Sequence, residues 1–182
     1  MVDGVSTKIV HSMLVLGPTS AILQFLVTAV QNIFNLRPRM RLLQLKDEPF
    51  MAEIYPPLTR QEVTSFALVR VRMISSLASD ADGMMSGWQQ DADDEWSIGF
   101  DRFKQLPFFL TVWVDERKNT VRLMLFSDYY MSDGYSGMVV LHCILEQIAI
   151  LANRDEPERE TPPQEGQILP LRPSLYKMIQ VT

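Results

Sequence analysis

The sequence is nearly free of cysteine. Its one cysteine, Cys143, cannot form a disulfide within the chain, and a lone thiol in an apolar run is typical of a reducing compartment. The start of the chain carries an early acidic residue and no apolar run of the kind that a secretory signal requires. No uninterrupted apolar stretch approaches the roughly 20 residues that cross a bilayer. We therefore expect a cytoplasmic protein with no membrane span.

Positive charge is also scarce. Lysine and arginine together number 17, against 22 aspartates and glutamates, which leaves a net charge of -5. A nucleic-acid-binding domain usually carries a basic patch or stripe, and an anionic membrane attracts one for the same reason. Nucleic acid and anionic membranes are therefore not expected partners.

Apolar residues, in contrast, make up 47% of the 182 residues, which is ample for the core of a single domain. Residues 9–16 predict a strand, and residues 20–35 predict an amphipathic helix because apolar residues recur there at helical spacing. Residues 66–74 predict a half-exposed strand, in which valines alternate with arginines. The polar stretch 75–95 has no periodicity and predicts a loop or a mobile insertion.

The second half of the chain contains the clearest hairpin. Residues 108–114 and 121–126 are rich in strand-forming residues on both faces, so we expect a sheet that is covered on two sides. Residues 137–152 predict a long helix with few polar positions, which should be largely buried. Residues 153–182 are rich in proline and indicate a linker or crossover tail after a domain at 1–152.

The segment between the hairpin and the long helix carries a motif. It reads Asp128-Tyr129-Tyr130-Met131-Ser132-Asp133-Gly134, followed by Tyr135-Ser136-Gly137. In its place after a strand and before a helix, it resembles the His-His-x-x-x-Asp-Gly marker of one acyltransferase superfamily. That superfamily includes chloramphenicol acetyltransferase, alcohol acetyltransferases and the condensation domains of nonribosomal peptide synthetases. The order of the elements, and a crossover-like stretch at 169–175, add to the resemblance.

The resemblance implies an α/β fold. It implies a chloramphenicol acetyltransferase-like half, the N-terminal one, with a mixed sheet and helices packed against it. The four predicted strands would share that sheet, and the two predicted long helices would cover it. The implied activity is acyl transfer from acyl-coenzyme A or a carrier-bound thioester to an alcohol or amine, with no bound cofactor.

The resemblance also assigns roles to the motif residues. Tyr129 lies where the family has its catalytic histidine, and Asp128 lies on the first-histidine position. Asp133 and Gly134 lie on loop-forming positions, where the family's aspartate pairs with an arginine. A phenol has an ordinary pKa of about 10 and a carboxylic acid one of about 4, so neither is an effective base near neutral pH. We therefore expect catalysis by the isolated chain to be impaired.

The remaining candidate residues have simpler interpretations. His11 and His142 are predicted to be an ordinary strand residue and an ordinary helix residue, with neither at the motif. Cys143 is predicted to serve in packing. The aspartates within 75–95 lack the spacing of a calcium loop and predict a solvated acidic surface, so no metal site is expected.

Two functional hypotheses follow, and a third stays open. The retained Ser132-Asp133-Gly134 favours an acyltransferase or one chain of such an enzyme. Tyr129 and the absence of a second half favour a non-catalytic binding or scaffold module, which pairs with itself or with a separate C-terminal half. A truncated product without an independent role is the third possibility. We favour an acyltransferase-superfamily half-domain that is catalytically impaired when isolated.

Overall fold

The computed structural model describes residues 5–6, 8–17, 19–47, 51–73, 88–98, 100–129 and 132–153. The predicted tail at 153–182 therefore lies outside the described residues, apart from Asn153, which caps the C-terminus of the last helix.

Strands and helices alternate irregularly along the chain. In chain order they are strands β1 Val5–Ser6 and β2 Lys8–Leu16, helix α1 Thr19–Leu36, a short 3-10 helix Pro38–Arg41, strands β3 Leu42–Gln44 and β4 Ala52–Ile54, helix α2 Arg60–Ser65, strand β5 Val69–Met73, helix α3 Trp88–Ser97, strands β6 Phe100–Asp101, β7 Phe108–Asp115 and β8 Thr120–Asp128, and helix α4 Gly134–Ala152.

The main sheet has four strands in the order β2-β8-β7-β5. Strand β8 is antiparallel to both of its neighbours, and β5 runs parallel to β7, so the sheet is mixed. Two further pairs, β1 with β6 and β3 with β4, form separate two-stranded sheets. The prediction of an α/β fold, in which the four strands share one mixed sheet, is confirmed.

The β7–β8 hairpin turns on Asn119, whose φ of 51° lies in the left-handed region that asparagine tolerates better than most residues. The same residue joins the hairpin to the start of α1. Its carbonyl oxygen accepts a hydrogen bond from the backbone N–H of Gly17, and its side-chain oxygen accepts one from the backbone N–H of Thr19. The hairpin tip therefore fixes the point at which the chain leaves β2 and enters α1.

Helices α1 and α4 pack together on one face of the main sheet, which we call the inner face. The core there combines both helices with alternate positions of the strands, as the two-residue period of a strand requires. Its most buried members include Leu26, Ala29, Val30, Ile33, Leu110, Val112, Val114, Val121, Leu123, Leu125, Leu141 and Ile144.

The opposite face of the sheet, which we call the outer face, carries an aromatic cluster. Its buried members are Phe100, Phe109, Trp113, Met124 and Phe126, and Trp88 and Ala92 of α3 pack against them. The rings of Phe109 and Phe126 stack with their centroids 4.8 Å apart. The prediction of a sheet covered on two sides is confirmed. The prediction of a loop or a mobile insertion across 75–95 is wrong for its last residues, because α3 begins at Trp88. Its first part, 75–87, lies outside the described residues.

Helix α2 has no counterpart in the sequence-based prediction, and β5 is correspondingly shorter than the predicted strand 66–74. Thr59 caps α2: its hydroxyl accepts a hydrogen bond from the backbone N–H of Glu62, and the Glu62 carboxylate accepts one from the backbone N–H of Thr59. The segment before α2 is held by Asn35 of α1, whose side-chain amide makes two hydrogen bonds with the backbone of Leu58.

Two helices, α1 and residues 135–152 of α4, are long and apolar enough to cross a membrane by length and composition alone. Core helices of globular proteins share this length and composition. Both helices pack one side against the inner face of the sheet. Helix α4 is less buried than predicted, since its residues Tyr135, Met138 and Ile150 are exposed.

Candidate functional site

The motif begins at the end of β8. Asp128 is the last residue of that strand and is fully buried. Its backbone N–H donates to the carbonyl oxygen of Pro107 at 2.9 Å, and it lies opposite Lys8 of β2 in the strand register. By the alternation of the strand it shares the outer face with Met124 and Phe126. Asp128 is therefore part of the sheet interior.

Tyr129 follows directly and lies at the surface, with 64% of the residue exposed. Tyr130 and Met131 lie outside the described residues. The structure therefore separates the first two motif residues: Asp128 is buried in the sheet, and Tyr129 faces solvent.

Ser132 connects the strand to the helix. Its backbone N–H donates to the carbonyl oxygen of Asp128 at 3.0 Å. Its hydroxyl oxygen lies 2.6 Å from the hydroxyl oxygen of Ser127 and 3.1 Å from the same Asp128 carbonyl oxygen. These contacts hold Ser132 close to the end of β8.

Asp133 caps the N-terminus of α4. Its carboxylate accepts a hydrogen bond from the backbone N–H of Ser136 at 2.6 Å. The hydrogen bonds from the side chain and backbone of Ser136 hold the pKa of Asp133 below its ordinary value, because they stabilise the ionised form. Within the described ranges no arginine forms an ion pair with Asp133. Here the aspartate of the motif has the role of a helix cap.

His11 lies nearer to the motif than the sequence indicates. It projects from β2 onto the inner face, where its buried ring packs against the backbone of Gly137 in the first turns of α4. A Cβ atom at Gly137 would come within 2.2 Å of the imidazole ring. The strand and helix therefore approach closely at a point where only glycine fits, four residues after the helix cap.

The other predicted candidates are placed as follows. His142 is exposed on α4 and lies 3.2 Å from the carboxylate of Glu146. The thiol of Cys143, which is partly buried against the inner core, accepts a hydrogen bond from Arg37 at 3.2 Å. Among the described residues there is no group of three or more histidine, cysteine, aspartate or glutamate side chains that could hold a metal ion. Asp91 is not purely solvated, because it forms an ion pair with Arg72.

The glycine contact of His11 is the feature of this site that sequence reasoning missed. The one sequence signal that could have indicated this contact is a glycine inside an otherwise apolar helix, since such a glycine often marks the close approach of another element. The partner of that glycine lies 126 positions earlier in the chain (137 − 11), and no pattern in the sequence links the two.

Comparison with known proteins supports the fold. No family model and no curated protein matches the sequence. Solved structures do match, and they identify the fold as that of condensation domains, as the motif predicted.

Three of these structures illustrate the similarity. The SgcC5 protein from Streptomyces globisporus is 16% identical, with a TM-score of 0.64 over 85% of this chain. The starter condensation domain of the rhizomide synthetase RzmA is 12% identical, with a TM-score of 0.64 over 85% of this chain. A condensation domain associated with chain release from the enacyloxin polyketide synthase is 12% identical, with a TM-score of 0.59 over 84%. The matches cover 32%, 35% and 28% of those chains, so this chain spans about a third of their length.

Proposed function

We propose that this chain is one half of a condensation-type acyltransferase fold, and that it does not catalyse acyl transfer on its own. The half-domain comprises residues 1–152, and residues 153–182 are a linker or crossover tail. The fold is that of condensation domains, and the chain spans about a third of the solved structures that it resembles. These two facts support a domain that needs a complement.

The observation that carries the proposal is that Asp133 caps α4, whereas residue 129 is a tyrosine. The resemblance of the motif aligns Tyr129 with the family's catalytic histidine. A general base must accept a proton near neutral pH, and a phenol does so poorly. Asp128 does not replace it, because its side chain belongs to the buried end of β8.

The chemistry assigned to the complete domain is transfer of an acyl group from a thioester to an alcohol or amine. The donor is an acyl-coenzyme A or a carrier-bound thioester. Support for the carrier-bound donor comes from two structures with this fold. Their names place them in the enacyloxin polyketide synthase and in the rhizomide synthetase. The thioester is a substrate in this proposal, which assigns no bound cofactor to the chain.

The proposed partner is a separate C-terminal half or a second copy of the chain. Apolar side chains stand exposed around the motif: Tyr135 is 80% exposed, and Met138 lies one turn further along α4. Tyr129 is exposed as well, and a second half could cover these apolar side chains. A partner in the same compartment fits the proposed cytoplasmic location.

The test follows thiol release from a panel of acyl-coenzyme A and acyl-pantetheine thioesters, with small alcohols and amines as acceptors. We expect no turnover above background from the unmodified chain. Tyr129→His alone is expected to stay inactive, because positioning by a complementary half contributes much of the rate. Tyr129→His combined with a complementary C-terminal half, from a neighbouring reading frame where one encodes it, is expected to release thiol.

The matched control is Tyr135→His, which places an imidazole on the same exposed surface but away from the motif position. It should stay inactive with or without the second half. Robust turnover by the unmodified chain, lost in Tyr129→Phe, would refute the proposal and make the phenol a catalytic group.

The second candidate function is a non-catalytic scaffold, and the exposure of Tyr129 and Tyr135 favours it. Sedimentation of the mixed halves separates the two functions. A stable complex that never releases thiol, even with histidine at position 129, indicates the scaffold.

A further inference from the structure

Four cationic side chains lie on the outer face of the main sheet, which also carries Asp128 opposite Lys8, although the chain as a whole has a net charge of -5. The guanidinium of Arg70 lies 4.1 Å from the centroid of the Phe109 ring, and the ammonium of Lys8 lies 5.2 Å from the same centroid. Arg72 lies over Trp113, and the Arg122 guanidinium lies 4.1 Å from the ring centroid of Trp88. Cations stacked on aromatic rings therefore line this face.

Helix α3 covers that face with its carboxylates. The two carboxylate oxygens of Glu95 lie 2.7 and 2.8 Å from one terminal nitrogen of Arg70, and one of them lies 3.4 Å from Arg72. Asp91 pairs with Arg72 at 3.0 Å. The Lys8 ammonium donates to the backbone carbonyl oxygen of Glu95. One turn of an acidic helix thus engages three cations of the sheet.

Apolar contacts of α3 are few by comparison. Glu95 is its one buried residue, Trp88 and Ala92 are its apolar contacts with the aromatic cluster, and Trp96 is half exposed. A helix of ten residues is marginal in isolation, so its attachment depends on what it contacts. Helix α4, in contrast, buries a full apolar face in the inner core.

The charge pairs themselves are not strongly favourable. Burial raises the pKa of Asp91 despite the opposing effect of Arg72, so the ionised carboxylate is less stable here than in water. Burial likewise lowers the pKa of Lys8, against the attraction of Glu95. Desolvation therefore offsets much of the Coulombic attraction that holds the helix down.

We propose that α3 is a charge-held cover, which detaches from the outer face as a unit while the main sheet, α1 and α4 stay folded. Opening exposes Arg70, Arg72 and Lys8 together with the Phe109 ring. The acidic surface of α3 is then replaced by a cationic and aromatic surface. While α3 is attached, its carboxylates occupy the cations of the sheet.

Native-state hydrogen exchange on the full chain tests the proposal. We expect the amides of residues 92–97 to exchange at least about tenfold faster in Glu95→Gln, because charged hydrogen bonds to Arg70 are weakened. Exchange in β7 and β8 should change by less than about twofold. The matched control is Asp93→Asn, which removes an exposed charge from the same helix and should leave exchange of the 92–97 amides unchanged.

A second measurement needs no substitution. Raising sodium chloride from about 0.05 M to about 0.5 M should speed exchange in α3 of the unmodified chain, because salt screens partly exposed pairs. The sheet should not respond. Exchange of α3 only through global unfolding, at the same rate as β7 and β8 and without a salt effect, would overturn the proposal. So would an equal loss of protection across sheet and helix in Glu95→Gln.

Discussion

Gly137→Ala is the substitution whose cost the structure predicts most directly. The new Cβ atom would lie 2.2 Å from the nearest atoms of the His11 ring and 2.8 Å from the ring carbon nearest the backbone. Non-bonded carbon atoms prefer about 3.5–4.0 Å, so the ring or the helix must move by more than about 1 Å. Overpacking of this kind costs typically about 1–3 kcal/mol, whereas alanine in a helix interior gains about 0.5–1 kcal/mol over glycine. We therefore expect a net destabilisation of about 1–2 kcal/mol.

Urea denaturation of four proteins isolates the contact: the unmodified chain, Gly137→Ala, His11→Ala and the double variant. Removing the ring removes the clash, so the coupling free energy between the two sites should be about 1–3 kcal/mol. Met138→Ala, at an exposed neighbouring position, should change the free energy of unfolding by less than about 0.5 kcal/mol. The reasoning fails if Gly137→Ala stabilises the protein and shows no coupling to position 11.

Two further predictions concern α1 and α2. Asn35→Ala should lower the free energy of unfolding in urea by about 2–3 kcal/mol, since it removes two hydrogen bonds to the backbone of Leu58. Gln31→Ala should lower it by less than about 1 kcal/mol, because it removes only one of two donors to the Leu58 carbonyl oxygen. The pKa of Glu62 lies below its ordinary 4.5, chiefly because the Thr59 backbone N–H and then its hydroxyl donate to the carboxylate. The ionised Glu62 carboxylate therefore stabilises the folded state above the ordinary pKa, and this stabilisation is lost as pH falls through the depressed pKa. The Glu62→Gln variant should accordingly lose less stability than the unmodified chain between about pH 5 and about pH 3. An identical loss in the two proteins would contradict the assignment.

The elements that the sequence predicts well are those held by a periodic apolar face. Helix α1 and the two strands of the hairpin follow directly from apolar spacing, and their bounds differ from the predicted ones by only a few residues. Helix α4 was also predicted, but its burial was overestimated. An apolar composition on all sides does not show which side the sheet covers, and Ile150 is one of the residues left exposed.

Helices α2 and α3 were missed for different physical reasons. Helix α2 is short, but the Thr59 and Glu62 capping box before it was visible in the sequence and could have located its start. Helix α3 lacks a periodic apolar face. Glu95 and Asp91 are fixed by arginines of β5, and pairs between segments this far apart leave no local pattern.

The two parts of the motif carry different information about function. Asp133 has a structural role that does not depend on catalysis. It caps α4, whose residues Leu141 and Ile144 form part of the inner core. Retention of the Asp-Gly pair is therefore expected in an active and in an inactive domain alike, and loss of activity in Asp133→Ala would not distinguish them. Tyr129 lies exposed beyond the end of β8 and is not part of either buried core. Position 129 is for that reason the informative one, and a test of catalysis must change it while the helix cap stays intact.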